Sequence, residues 1–187
     1  MYRPLADEIR PKSLDEVVGQ HHLLDSDAVL RRMVDSGHIT NMIFYGPPGT
    51  GKTTAASIIA KASGMTFRKL NATSASLSDV KDILQETGNL FGADGILLYL
   101  DEIQYFNKKQ QQSLLEFLED GRITLIASTT ENPYFYIYKA ILSRSTVFEF
   151  KPVSAQDMIP FIRRCITYIE EELGYSIKID DESIEKI

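Results

Sequence analysis

A single cysteine, Cys165, is all the thiol this 187-residue chain carries, so no disulfide can form within it. A reducing cytoplasm is therefore the expected compartment. Cys165 lies in an apolar helical stretch and reads as a small buried hydrophobe rather than a nucleophile. No apolar run approaches the roughly 18–20 residues that a membrane-spanning helix needs. The N-terminus has no apolar signal core and carries Asp7 and Glu8 early, so no membrane partner is expected. Positive charge is also short: 20 Lys and Arg against 26 Asp and Glu leave a net charge of −6. That excludes a surface coated with basic side chains for non-specific nucleic-acid binding. It leaves room for a local basic strip, or for a DNA site formed when several copies assemble. The pairs Arg31-Arg32, Lys108-Lys109 and Arg163-Arg164 are scattered and read as solvated helix faces. Internal repeats and low-complexity tracts are lacking. The length and ordinary composition suit one globular domain with a real core and a small appendage.

What is present is concentrated in one stretch, Gly46-Pro47-Pro48-Gly49-Thr50-Gly51-Lys52-Thr53. It meets every position of the phosphate-loop pattern: Gly, four residues, Gly-Lys, then Ser or Thr. Met42-Ile43-Phe44-Tyr45 before it reads as a buried parallel strand, and 54–63 after it as a helix stopped by Gly64. Bare glycine backbone turns N–H groups towards phosphate oxygens, and the helix N-terminus adds partial positive charge. Lys52 supplies a full charge to the outer phosphates, the Thr53 hydroxyl can ligate Mg²⁺, and Thr54 follows at the first helical turn.

Along the rest of the chain, strands and helices alternate. Ser13-Leu14-Asp15-Glu16 has the form of a capping box, so a short helix is expected there. Ser26 caps a second helix over 27–35. Strands are expected over 65–70, 96–100, 122–128 and 146–150, with helices over 78–87 and 107–119, a turn over 89–95 and an aromatic helical turn after Pro133. The alternation implies an α/β fold: a parallel five-stranded P-loop sheet with helices on both faces. After Lys151-Pro152, Ser154 opens a helix that stops at Gly174 and begins a small helical lid, with Pro160 kinking it or delaying its start. A last helix begins near Asp180.

Ile96-Leu97-Leu98-Tyr99-Leu100 runs directly into Asp101-Glu102. At the carboxyl end of a central strand, Asp101 lies where a nucleotide-bound Mg²⁺ needs a carboxylate. Glu102 is placed to orient or deprotonate a water. Two solvated acids would be the plain reading of this pair alone; beside the phosphate loop, the pair points to an ATPase. A small-molecule kinase would need an acceptor pocket instead.

Phosphate loop and acids together resemble the AAA+ superfamily in its clamp-loader branch. The opening Pro4-Leu5-Ala6-Asp7-Glu8-Ile9-Arg10-Pro11, the stretch Val18-Gly19-Gln20-His21-His22-Leu23-Leu24 and Ser128-Thr129-Thr130-Glu131-Asn132-Pro133 resemble the replication-associated recombination protein A family within it. The resemblance implies an ATP- and Mg²⁺-dependent ATPase core over 1–152, with 1–24 wrapping the adenine through Arg10, Pro11, Val18, Gly19 and Gln20. It implies a γ-phosphate sensor at Thr130, with Asn132 as the other candidate. Ser143-Arg144 matches a Ser-Arg-Cys signature, Ser145 standing where that signature has Cys, and implies that Arg144 acts as a finger on a neighbouring subunit's nucleotide. The family continues into a Gly-Asp-Ala-Arg stretch, a collar and an oligomerisation domain. The expectation for 153–187 is therefore a truncated lid.

The implied partners are DNA, single-stranded or forked, a homo-oligomer of the full-length protein, and single-strand-binding protein and replisome components at the nucleoid. A clamp-loader subunit, a junction branch-migration motor and a nucleotide-gated binding module with little hydrolysis remain as alternatives. The aromatic run Tyr134-Phe135-Tyr136-Ile137-Tyr138 reads as packing against the core or a neighbouring subunit, with base stacking as the other option.

Overall fold

The computed structural model describes residues 5–87, 95–121, 123–174 and 176–184. Its strands are β1 (Met42–Tyr45), β2 (Thr66–Asn71), β3 (Ile96–Asp101), β4 (Ile123–Thr129) and β5 (Thr146–Glu149). They form one sheet in the order β2-β3-β4-β1-β5, parallel at every pairing. β4 thus separates β1 from β3. Tyr45 pairs with both Thr129 and Glu149, and Leu100 with Ala127. The carboxyl ends of the strands therefore share one edge, where ligands of open α/β sheets bind.

The apolar runs of β1 and β3 show no polar alternation because both faces of the sheet are covered. Met42, Phe44, Leu97 and Tyr99 pack on one side, under the helices Val29–Asp35 and Lys52–Ala62. Ile43, Leu98 and Leu100 pack on the other with Val80, Leu114 and Phe117, from the helices Leu77–Thr87 and Lys108–Glu119. β2 is an edge strand, and its charged Arg68 and Lys69 suit that place.

Local signals hold best where one side chain decides. Asn107 forms a full capping box with Gln110 at the start of Lys108–Glu119. Ser154 accepts from the Asp157 N–H at the head of the long helix Ala155–Leu173, and Gly174 closes it in the left-handed conformation. Pro160 does not delay that helix, which begins at Ala155.

Two expectations fail. Ser13 makes no capping bond, and Leu14–Glu16 is a single 3-10 turn. The Glu16 carboxylate that would complete a box instead accepts from the Lys12 N–H (3.1 Å) and the Ser13 hydroxyl (3.3 Å) and pairs with Arg164 (3.2 Å). The next helix begins at Val29 rather than at Asp27, with Ala28 at its cap, because 26–28 are spent in the turn that follows the short helix His21–Leu24. Of the turn expected over 89–95, only Gly95 falls among the described residues, and Arg122 also lies outside them.

Candidate active site

β1 delivers the chain into the glycine loop, and the helix Lys52–Ala62 carries it away. Gly46 is where the turn admits no side chain: its φ is +138°, and a Cβ would overlap the carbonyl oxygen of Phe150 just beyond β5. Gly46→Ala is expected to destabilise the fold by about 2–4 kcal/mol in chemical denaturation. An unchanged midpoint would show that the β1–β5 approach can open at no cost.

Inside the loop, Lys52 is buried and donates to the carbonyls of Gly46 (2.8 Å) and Pro47 (2.7 Å). The Thr50 hydroxyl also donates to Pro47 (2.9 Å). Gly46 and Pro47 therefore shape the loop and hold Lys52, while 48–54 form the wall of a cleft of about 300 Å³. Burial pushes the Lys52 ammonium down from its ordinary range, and the nearby Glu102 and Asp101 pull it back up.

The opposite wall is Tyr99, Asp101, Glu102 and Thr130. The Asp101 carboxylate accepts from the Ser128 hydroxyl and from the Tyr99 hydroxyl (3.3 Å), with Lys69 3.5 Å away. Thr53 donates to the same Tyr99 oxygen at 3.1 Å. Tyr99 thus links the two side chains expected to hold a metal, and burial above all keeps its phenol protonated. In the sequence Tyr99 stands out only as part of an apolar central strand. The period-two alternation of β3 puts Leu97, Tyr99 and Asp101 on one face, which was the available signal.

Glu102 is the one non-glycine residue with positive φ among the described residues (+56°), so the chain turns sharply as it leaves β3. Thr130 follows β4 directly and reaches the cleft. Asn132 does not: its side chain caps the one-turn helix Pro133–Tyr136 by accepting from Tyr134 N–H (3.0 Å).

A second, mostly apolar pocket of about 180 Å³ adjoins the cleft and shares Gly49, Thr50, Gly51 and Thr54 with it. Pro11, Val17, Val18, Val153, Met158 and Phe161 complete its wall. Pro11 and Val18, two of the residues expected against the adenine, line it; Val17, Val153, Met158 and Phe161 were not among those expected. Met158 and Phe161 come from the long helix after residue 154 and signal themselves only as its apolar stripe.

Arg10, Gly19 and Gln20 are not on this wall. Arg10 pairs with Asp7 (3.1 Å). Gly19 turns beneath Val153. Gln20 is buried and fully used: its amide donates to the carbonyls of Lys151 (2.8 Å) and Thr50 (3.4 Å) and accepts from Lys151 N–H (3.0 Å). It braces the loop from behind. The opening segment is further tied to the long helix by Arg164 on Glu16 and by His21 on Asp157 (3.1 Å).

The remaining candidates lie apart. Arg144 lines neither pocket; it pairs with Glu119 at 2.8 Å and donates to the carbonyl of Ala140 (3.1 Å). Tyr134, Phe135 and Tyr136 are 64%, 82% and 51% exposed, so they do not pack into the core. Cys165 is half-buried, and burial pushes its thiol up, which favours the protonated form. Among the described residues no group of three or more His, Cys, Asp or Glu converges on a metal position; His21 bonds Asp25 and Asp157, and His22 bonds the carbonyl of Glu149. No helix of the described residues is long and apolar enough to cross a membrane.

Residues 42–153 match the model of the ATPase family associated with various cellular activities (AAA). The chain is 40% identical to replication-associated recombination protein A of Bacillus subtilis over 184 residues, 98% of this chain and 43% of that protein. It is 34% identical to ATPase WRNIP1 of Dictyostelium discoideum over 188 residues, all of this chain and 21% of that protein. Among solved structures, the RuvB Holliday junction branch migration motor of Thermotoga maritima is similar, with a TM-score of 0.74 and 25% identity over 95% of this chain and 58% of that one. The chain therefore spans less than half the length of these curated relatives.

Proposed function

The chain belongs to the AAA family of ATPases, and from that premise we propose that it is the ATP-binding and ATP-hydrolysing core of a protein of the replication-associated recombination protein A type, acting in DNA recombination, repair and replication-fork maintenance. The observation that carries this reading is the cleft itself. A glycine loop with Lys52 and Thr53 faces Asp101 and Glu102 across one cavity, and an apolar pocket opens beside it. An apolar pocket joined to a polar, cation-lined cleft matches a purine joined to its phosphates.

The residues present fit ATP and Mg²⁺. Lys52 is drawn in over the loop by two carbonyls and can exchange them for phosphate oxygens. The Thr53 hydroxyl and the Asp101 carboxylate would hold Mg²⁺, a hard cation that takes few protein oxygens and keeps phosphates and waters as its other ligands. When bound, the metal neutralises charge on the outer phosphates. Glu102 orients a water and accepts its proton, and Thr130 holds the far side of the cleft. Arg144 serves a neighbouring subunit's site. DNA, single-stranded or forked, a homo-oligomer, and replisome components including single-strand-binding protein are the partners this reading implies.

Calorimetric titration with ATP in millimolar Mg²⁺ tests the reading. Wild-type protein should bind, and Lys52→Ala should bind at least roughly tenfold more weakly, since it loses charge-assisted bonds. Absence of uptake by the wild type, or full uptake by Lys52→Ala, would overturn it. The 40% identity to the Bacillus protein, set against 25% to RuvB, favours the recombination type over the branch-migration type.

A further inference from the structure

Gln104 is the one hydrogen-bond donor to the Glu102 carboxylate among the described residues, with Nε2 to Oε2 at 2.6 Å. The two side chains are two residues apart, and the 3-10 turn Ile103–Tyr105 brings them together: Tyr105 N–H bonds the Glu102 carbonyl at 3.0 Å, and Phe106 N–H that of Ile103 at 3.0 Å. The other end of the amide is unusual. Gln104 Oε1 is buried and has no hydrogen-bond partner. Flipping the amide does not help, because it would set this oxygen against a carboxylate oxygen.

Gln104 is only partly buried as a residue, and the two buried glutamines of the described residues show what a structural amide looks like here. Gln20 bonds main-chain groups through both its nitrogen and its oxygen. Gln111 donates to the carbonyls of Phe106 (2.9 Å) and Tyr136 (3.1 Å) and accepts from Tyr138 N–H (2.8 Å). Gln104 has one bond, to a single oxygen of the carboxylate in the cleft. A buried amide oxygen without a partner weakens a fold, and such groups in native proteins call for a reason beyond packing.

We propose that Gln104 is a positioning residue for Glu102: by holding Oε2 it fixes the carboxylate and leaves Oε1 as the oxygen that meets water. The Glu102 backbone is already committed to a sharp left-handed turn, which places the carboxylate beside the cleft without fixing its rotation. Gln104 supplies that last constraint. Gln104 is not on the wall of the cleft, so its loss acts on the chemical step and not on binding. The inference rests on Glu102 acting as the base under the function proposed above.

Three substitutions in the full-length protein test it, each measured for kcat, KM for ATP and ATP affinity. Gln104→Met keeps length and apolar bulk and removes both the donor and the orphaned oxygen. It should lower kcat by about 10- to 100-fold, the usual consequence of a misaligned catalytic group, with KM and affinity unchanged. Gln104→Glu sets acceptor against acceptor and should do at least as much harm to kcat, again with affinity unchanged. Gln104→His restores an N–H at similar reach and should recover most of the loss.

A Gln104→Met kcat within about twofold of wild type would overturn the proposal. So would a fall in affinity that matches the fall in kcat, or a His variant no better than Met. Glu102→Gln, run alongside, separates the two levels. If it hydrolyses ATP normally, the role of Glu102 is wrong; if it is inactive while Gln104→Met is fully active, only the role of Gln104 is wrong.

Discussion

Glu102→Gln should bind ATP as the wild type does and turn it over about 10²- to 10⁴-fold more slowly, the range a positioned general base contributes. The substitution changes little else. Glutamine has the same length, and the left-handed backbone at this position costs it about what it costs glutamate. Gln104 Nε2 can still donate, now to an amide oxygen. Loss of one negative charge beside Lys52 should, if anything, favour the bound phosphates, since Glu102 lies near enough to raise the Lys52 ammonium. Phosphate release measures turnover and calorimetry measures binding. Equal losses of both would remove Glu102 as the base and make it part of the binding wall.

The contrast with Asp101 fits the division of work proposed for the two acids. Asp101 is enmeshed by Ser128, Tyr99 and Lys69 at the end of β3, as a fixed ligand should be. Glu102 stands one residue beyond the strand with a single donor, as a group that must take up a proton should be. The phosphate loop and this pair of acids were legible because each is a local pattern whose chemistry needs no knowledge of distant residues. The parallel sheet with helices on both faces followed from the alternation of strands and helices, while the strand order was not legible.

The rest depended on partners far away in the chain. Gln20 sits in a segment that was read as wrapping the adenine, yet its amide is spent on Thr50 and Lys151, the latter 131 residues on. Arg164 claims the carboxylate that would have completed a capping box at Ser13. Thr130 and Asn132 are both plausible turn residues before Pro133. In the structure they differ in place: Asn132 Oδ1 accepts from Tyr134 N–H, and Thr130 lines the cleft. Met158 and Phe161 belong to a helix whose apolar stripe promises burial without saying against what.

Arg144→Ala should leave folding and ATP binding intact and reduce turnover by about 10³- to 10⁵-fold, the worth of an arginine finger supplied by a neighbour. Within its own chain Arg144 is far from idle but does little for stability. Its partner Glu119 is more than half exposed, and such a pair contributes about 0–1 kcal/mol. A pair this weak yields readily to a competing anion, and a guanidinium presents to a phosphoryl group the same planar fork of donors that it presents to Glu119. Because the side chain lines neither pocket of its own subunit, any catalytic role must be exercised on another copy.

That requirement can be tested by mixing. Full-length Arg144→Ala has an intact loop but no finger to offer. Lys52→Ala has a finger but no competent loop. Where the two meet, a working loop faces a working finger, so mixtures should regain part of the turnover that neither variant shows alone, with a maximum at intermediate ratios. If no ratio restores activity while sedimentation shows that the two variants co-assemble, Arg144 does not act between subunits, and its pairing with Glu119 is its whole role.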